Sequence, residues 1–434
     1  MTKQIRMNLI FHTAGRHDAA WKSFEDSAKL IADVDHQIEM AKMAEAAKFD
    51  AIFLPDTPGS LRGNFLRRPR RGLDPVVLLA AIARETKHLG LISTSPTLQA
   101  HPFFAARALA TLHQVSNGRA GWNIVTSQDD ETREALGITE ILERDARYEK
   151  AEEFVKIVTG LWDSLPQDAI VGDVENDIYV DYDQTHPIDF KGEYYQSAGV
   201  LPMPGRYDGE RPVIFQAGVS QQSREFGARW ADALFTSQPT PDHDRKFYSE
   251  AKAHAASIGR NPDDLVVLPG LYTVVADTEA EARKRKLHFD EMLDMGFLLK
   301  QLSNQIEVPL ESLDPLKELP YDLLDAPSAQ EVIEYRRKEM VPVAKANKWT
   351  VKDLVFHNLT RGQRTLIGTP EQVADGIIEW IDSGVGDGFN VNADVQPEGL
   401  LRFTDVITEL QDRGRFRKEY EFDSFRENFG LSRS

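Results

Sequence analysis

Asn117-Gly118-Arg119-Ala120-Gly121-Trp122-Asn123-Ile124-Val125-Thr126-Ser127 is the stretch on which the reading of this chain turns. Its Asn-Gly pair ends an apolar helix, because both residues tolerate the positive φ that breaks one. The next residues extend into a strand that finishes in Asn, Thr and Ser side chains. An α/β fold takes its ligand at the carboxyl ends of its strands, so polar groups there mark a binding edge.

On the amino-terminal side the same alternation recurs. Residues 5–11 read as a buried strand, 35–48 as a helix with Met40, Met43, Ala44 and Ala47 on one face, and 50–54 as a strand stopped by Pro55. Asp74-Pro75 supplies an N-cap and first-turn proline for a helix to about Thr86, residues 89–94 form the third strand, and His101-Pro102 opens the helix that reaches Val115. On the carboxyl side, Ala151, Phe154, Val155, Val158, Leu161 and Trp162 mark a helix face. Strands follow at 213–218, 233–236 and 265–276, with helices at 221–231, 242–257 and 279–295. Thr369-Pro370-Glu371-Gln372 is a capping box before a helix carrying Val373, Ile377 and Trp380, and residues 387–391 make the eighth strand.

Eight strands alternating with helices point to an α/β protein, a single (β/α)8 TIM barrel spanning residues 1–434, which that fold's size range accommodates. Periodicity fails in two places, about 164–211 and about 296–368, which read as long insertions and as lids. Lys191 to Tyr195 within the first suggests a hairpin. The tail, about 413–434, holds Phe416, Tyr420, Phe422, Phe425 and Phe429, too aromatic for a solvated end, and is expected to pack on the barrel or on a second subunit.

Fifty-one basic against 69 acidic residues give a net charge of −18, which argues against a nucleic-acid partner. There is no cysteine, hence no disulfide, thiol nucleophile or thiolate metal site. No apolar run is long enough for a membrane span and no leader-like segment follows Met1, so a cytoplasmic protein is expected. Neither a metal-spaced His/Asp/Glu cluster, a G-x-S-x-G elbow nor a P-loop appears.

Strand ends supply the candidate site. Gly218 and Ser220 sit where a strand turns into a helix, so free N–H groups and a hydroxyl face an anion there, or Ser220 simply caps the helix. Arg144 and Tyr148, four apart, share a helix face and suit the same anion, the alternative being a surface ion pair. Asp56, Thr94, Asn123 and Ser127 follow or end strands two, three and four, while Asp56 also fits a turn before Pro58. His12 and His17 follow the first strand as candidate catalytic groups, and His101 is a weaker one because His-Pro also starts helices.

The signature resembles that of the flavin-dependent monooxygenases related to nitrilotriacetate, dibenzothiophene-sulfone and long-chain alkane monooxygenases, a branch of the bacterial luciferase-like superfamily. Leu54-Pro55-Asp56, Ile92-Ser93-Thr94, Arg147-Tyr148 before Ala151-Glu152-Glu153-Phe154, Gln216-Ala217-Gly218, Gly368 to Asp375, Asp387-Gly388-Phe389-Asn390 and Arg426-Glu427-Asn428 with Gly430-Leu431 are similar to family patterns in the same order. The resemblance implies that Asp56, Thr94, Ser127, Arg144, Tyr148 and Ser220 bind FMN, and that the His17 to Trp21 spacing lies near the flavin. It departs at Arg144, commonly His, at Val219, commonly Ser, and at 128–137, which lacks an Asn-Phe-Gly.

The implied activity is a two-component monooxygenase. An NAD(P)H:flavin reductase supplies FMNH2, O2 reacts to a flavin peroxide, and a small organic substrate is oxygenated, with C–N or C–S cleavage as one outcome. A homo-oligomer, dimer or tetramer, is expected. The alternatives are a deazaflavin (F420)-dependent oxidoreductase, a non-catalytic flavin-binding protein, and a (β/α)8 glycoside hydrolase, which needs paired carboxylates at strand ends where this chain offers Asp56 and Asp394.

Overall fold

The computed structural model describes residues 4–56, 66–67, 69, 72–97, 101–126, 130–218, 220–237, 241–325, 328, 330–360 and 363–433. In chain order its elements are β1 (Arg6–Ile10), α1 (Val34–Ala46), β2 (Ala51–Leu54), α2 (Pro75–Glu85), β3 (Gly90–Pro96), α3 (Pro102–Val115), β4 (Ala120–Val125), α4 (Asp130–Ala135) and α5 (Arg144–Trp162). There follow β5 (Ile188–Lys191), β6 (Gln196–Gly199), β7 (Val213–Ala217), α6 (Gln221–Trp230), β8 (Ala233–Thr236), α7 (Pro241–Ser257), β9 (Val266–Val275), α8 (Glu279–Glu291) and α9 (Met295–Ile306). The rest is α10 (Glu331–Ala346), α11 (Val351–Asn358), β10 (Arg364–Gly368), α12 (Pro370–Asp382), β11 (Gly388–Ala393), α13 (Glu398–Asp412) and α14 (Phe425–Asn428).

Eight parallel strands close a ring in the order β1-β2-β3-β4-β7-β8-β9-β11 and back to β1, the (β/α)8 barrel that the alternation implies. β9 is long enough to pair with β8 along its lower half and with the extra strand β10 along its upper half. Leu9, Leu91 and Val391 face the helices, while Ile10, Phe53, Ile92, Phe215 and Leu268 fill the interior. The barrel strands are buried on both faces, as a sheet covered by helices requires, with the asparagines of β1 and β11 on the inner face. Among the described residues no helix is long and apolar enough to cross a membrane.

The signature turn forms as its residues dictate, with Asn117 at φ 55° and Gly118 at φ 81°. Arg119 then lies buried, donating to the carbonyls of Ala83, Thr86, Leu89 and Ser116 and to the Thr86 hydroxyl at 2.7–3.0 Å. It straps the carboxyl end of α2, where the helix dipole favours a cation, to the start of β3. Burial brings its pKa down to about 10, and it stays charged at neutral pH.

The tail packs on its own barrel. Phe425, Phe429 and Leu431 join the interior cluster from the amino-terminal end of the strands, with Phe425 stacked on Phe215 at 6.2 Å. Arg426, equally buried, pairs with Asp232 at 2.9 Å and Glu210 at 3.3 Å. Although burial opposes it, Arg211 and Arg426 hold the Asp232 carboxyl below its usual range.

The two insertions, read as lids from the sequence, are built in different ways. The first lies along the outer side of α3 and α5, because the Glu153 carboxylate of α5 accepts the N–H groups of Glu193, Tyr194 and Tyr195 in the β5–β6 hairpin at 2.7–3.0 Å. Gln114 of α3 donates to the Pro204 and Arg206 carbonyls. Only the hairpin tip reaches the mouth, where the Tyr195 hydroxyl donates to the Thr97 carbonyl. The second is ordered by a core of its own that includes Leu298, Leu302, Ile306, Val351 and Leu354. Its approach helix α8 packs over the upper part of β9 and contacts the loops after β1 and β11.

Phe425→Ala is expected to cost about 3–5 kcal/mol, the usual loss for a buried phenylalanine, and to lower the urea midpoint accordingly. A second stability effect depends on pH. Burial pushes the Asp244 carboxyl of α7 up to about 7 against the pull of Arg364 on β10. Its folded pKa exceeds the unfolded one, so its contribution is complete below about pH 4 and lost as pH rises through 7. Asp244→Asn should raise the melting temperature at pH 8 by roughly 2 °C or more and change it little at pH 4, as scanning calorimetry would record.

Candidate functional site

The carboxyl ends of the barrel strands converge on one mouth, and the polar residues facing it come from both ends of the chain. Asn8 of β1 donates to the Asn390 amide oxygen of β11 at 3.1 Å, and Asn390 in turn donates to the Leu268 carbonyl of β9. Two residues on, Asn392 donates to the Asn390 carbonyl and receives His12 Nε2 at 3.0 Å. With the Asn392 oxygen as acceptor, the His12 proton resides on Nε2 and its basic lone pair on Nδ1. The side chain of Gln396 ties this corner together, accepting from His12 N and donating to the Ile10 carbonyl.

Across the mouth, the Asn123 amide of β4 donates to the Thr94 hydroxyl of β3 at 3.0 Å. The pair sits in register on neighbouring strands, and both side chains are buried. The Thr94 hydroxyl retains its own proton, and Asn123 Oδ1 has no hydrogen-bond partner among the described residues. A donor and an acceptor are thus left pointing into the mouth. Asp56, half-buried, follows the end of neighbouring β2, and Ser127 lies outside the described residues.

One strand beyond β4, β7 ends in a turn that a side chain would not allow. A Cβ on Gly218 would collide with the Ser223 side chain, so glycine lets the backbone pass this close to α6. Ser220 is the N-cap of α6, accepting from Ser223 N at 3.2 Å. Capping uses its lone pair and leaves its hydrogen to donate, so the cap and anion-site readings coexist. The amino end of α5 lies alongside: Gln222 donates to Asp145 at 3.3 Å, and the Tyr148 ring meets that of Phe226 at 5.7 Å. Arg144, on the same turn, is exposed. Arg144, Tyr148, Gly218 and Ser220 are therefore brought to one corner.

His17 stands apart from both corners. Its Nδ1 accepts from Ala19 N at 3.1 Å and its Nε2 donates to Asp290 of α8 at 3.0 Å, with Lys286 on the other Asp290 oxygen at 2.6 Å. Both ring nitrogens are taken up by the protein, and the ring fastens the β1 loop to α8. His101 caps α3 through Nδ1 and holds the Gln196 carbonyl through Nε2, the helix-start role. Asn8, Asn390, Asn392 and Gln396 were not singled out from the sequence. A signal existed in the spacing of Asn390 and Asn392, two apart in an otherwise apolar strand and so on one face. No cluster of His, Asp and Glu among the described residues has the makings of a metal site.

This chemistry fits FMN. A phosphate would find the α6 amino terminus with Ser220, Tyr148 and Arg144, and a ring edge would find Thr94 as donor and the orphaned Asn123 oxygen as acceptor.

A family model described as luciferase-like monooxygenase matches residues 7–387. N-acetyl-S-(2-succino)cysteine monooxygenase of Bacillus subtilis (strain 168) is 36% identical over 436 residues, covering 99% of this chain and 97% of that protein. Nitrilotriacetate monooxygenase component A of Aminobacter aminovorans is 34% identical over 445 residues, with 99% and 97% covered. Among solved structures, a riboflavin lyase with modified FMN and riboflavin superposes with a TM-score of 0.82 at 27% identity, covering 99% of this chain and 97% of that one.

Gly218→Ala should weaken FMN binding about tenfold or more, since the turn must open to admit the methyl group. Fluorescence titration against the parent protein measures this, and an unchanged dissociation constant would place the phosphate elsewhere.

Proposed function

The chain belongs to the luciferase-like monooxygenase family and is a flavin-dependent monooxygenase; from that premise we propose that it uses FMNH2 delivered by a separate NAD(P)H:flavin reductase to oxygenate a small, carboxylate-rich substrate. The observation that carries the cofactor assignment is the orphaned Asn123 oxygen beside the Thr94 hydroxyl, one strand away from the Gly218–Ser220 turn. A polar edge and an anion turn at that separation suit a molecule with a ring at one end and a phosphate at the other. The relative named component A supports a partner reductase.

Bound FMNH2 supplies the two electrons that activate O2. The residues of this chain do the rest. Thr94, Asn123 and Asp56 orient the ring, and Ser220, Tyr148 and Arg144 hold the phosphate. His12, its proton fixed on Nε2 by Asn392, carries the basic nitrogen at the mouth, and we assign it the proton handling. His17 is a positioning residue that keeps α8 over the mouth, where water exclusion favours productive turnover.

Two relatives are named for substrates in which carboxylates surround a sulfur or a nitrogen. This chain carries Arg62, Arg67, Arg68, Arg70 and Arg71 between β2 and α2, a local reversal in a protein of net charge −18. Arg16, buried, lies in the loop after β1. Those cations support an anionic substrate. Oxygenation at a carbon bonded to the heteroatom puts one oxygen atom into a C–H bond, while the other leaves as water with two electrons and two protons from FMNH2. The hydroxylated carbon then becomes a carbonyl as its C–S or C–N bond breaks, releasing a thiol or an amine.

With a generic flavin reductase, NADH and 18O2, the protein should convert a tricarboxylate thioether or amine to a carbonyl product carrying one 18O atom, read by mass spectrometry before exchange with water. Oxidation of FMNH2 with no labelled product from any such substrate would refute the substrate class, and failure to bind FMNH2 would refute the cofactor assignment.

A further inference from the structure

Tyr272 is the residue at the mouth that the assignments above leave unused. In the parallel register of β9 and β11 it stands opposite Asn392, two positions above Gly270, which stands opposite Asn390. Register partners in a sheet share a face, so the phenol projects on the same side as the Asn392 amide that holds His12. Leu268 below it fills the barrel interior, and Ala282 of α8 covers it from above. Only 3% of the residue is exposed, and its hydroxyl has no hydrogen-bond partner among the described residues.

A buried phenol without a partner is costly, and a phenylalanine would pack against Val274, Ala276 and Ala282 without that cost. The surroundings identify what the hydroxyl awaits. The charges acting on it are Asp394, Asp290, Arg16 and Arg285. Both acids already have partners, Asp394 bound to Arg285 at 2.5 Å and Asp290 to His17 and Lys286. Arg285 also pairs with Glu398 through Nη1, yet its Nη2 is buried with no partner among the described residues. Two donors are thus left over, a phenol O–H and a guanidinium N–H, beside one buried acceptor, the second Asp394 oxygen, that also has no hydrogen-bond partner among the described residues. Burial pushes the phenol well above its ordinary value, so it remains a donor at any pH at which the protein works.

We propose that Tyr272 is a substrate-recognition residue, its hydroxyl donating to a carboxylate oxygen of the substrate where β9, β11 and α8 meet, with Arg285 as the cationic neighbour. This rests on the carboxylate-rich substrate class and goes further, placing one carboxylate on the side of the mouth away from the Thr94–Asn123 edge. The hydroxyl distinguishes substrates with an oxygen acceptor there from apolar ones of the same size.

The test is calorimetric titration of nitrilotriacetate and of N-acetyl-S-(2-succino)cysteine into the FMN-loaded protein and into its Y272F variant, with melting temperatures of both. The expected result is at least a tenfold weaker affinity in the variant for whichever tricarboxylate binds, an unchanged FMN dissociation constant, and a melting temperature equal or higher. Equal affinity in the two proteins overturns the assignment of Tyr272 and leaves the substrate class standing. A lower melting temperature with unaltered tricarboxylate affinity also overturns it, because the hydroxyl then serves the fold. Absence of binding to the parent protein overturns both the substrate class and the role of Tyr272, whereas the FMN titration reports on the cofactor assignment independently.

Discussion

The register of β1 against β11 is the constraint on which the rest of the molecule depends. Asn8 meets Asn390 across a sequence separation of 382 residues, and their amides bond at 3.1 Å inside the barrel. A slip of β1 by one residue would turn Leu9 inward and take Asn8 away from Asn390, so the apolar pattern and the amide pair specify the same closure. Closure then brings His12 to Asn392, and the loop after β1 is zipped to the segment after β11 by the bonds from Arg16 N, His17 N and Gln396 N. A site drawn from both ends of the chain follows from one strand pairing.

That closure gives the barrel two unlike ends. At the floor, aromatic rings from the tail pack on Phe215, and the buried charges there are matched pair by pair. At the mouth, amides, hydroxyls and a histidine replace the rings, and some of their polar atoms have no protein partner among the described residues. Satisfied polar groups make a scaffold, while unsatisfied ones mark where something else binds. The contrast supplies a rigid base beneath a receptive rim, the arrangement that a catalytic constellation requires.

Much of this was legible in the residues. The strand-and-helix alternation, the Asn117-Gly118 turn, the capping box at Thr369 and the place of Gly218 and Ser220 all depend on interactions within a few residues, which sequence reports directly. The aromatic tail was readable as a packing element, though only the structure shows that it enters the floor. The insertions were not legible, because the path of the first is set by Glu153 gripping a hairpin some 40 residues away and the second builds its own core. Long-range contacts of this kind leave no local period. His17 illustrates the same limit: its spacing suggested chemistry at the flavin, while Asp290, 273 residues distant, determines what both nitrogens do. The asparagines of β11 were the recoverable omission.

The tail at the barrel floor also bears on how the protein is made. Synthesis proceeds from the amino terminus, and the strands emerge well before residues 413–433, whose rings cover Phe215 and whose Arg426 neutralises Asp232. Until that segment leaves the ribosome the ring of strands has an open, apolar lower end, and Asp232 has only Arg211 of its two cations. A chain cut short before Phe425 would keep that exposed end and be a ready client for chaperones and proteases. The aromatic segment thus works as a seal on the floor, withholding a finished barrel from any chain that stops short of it.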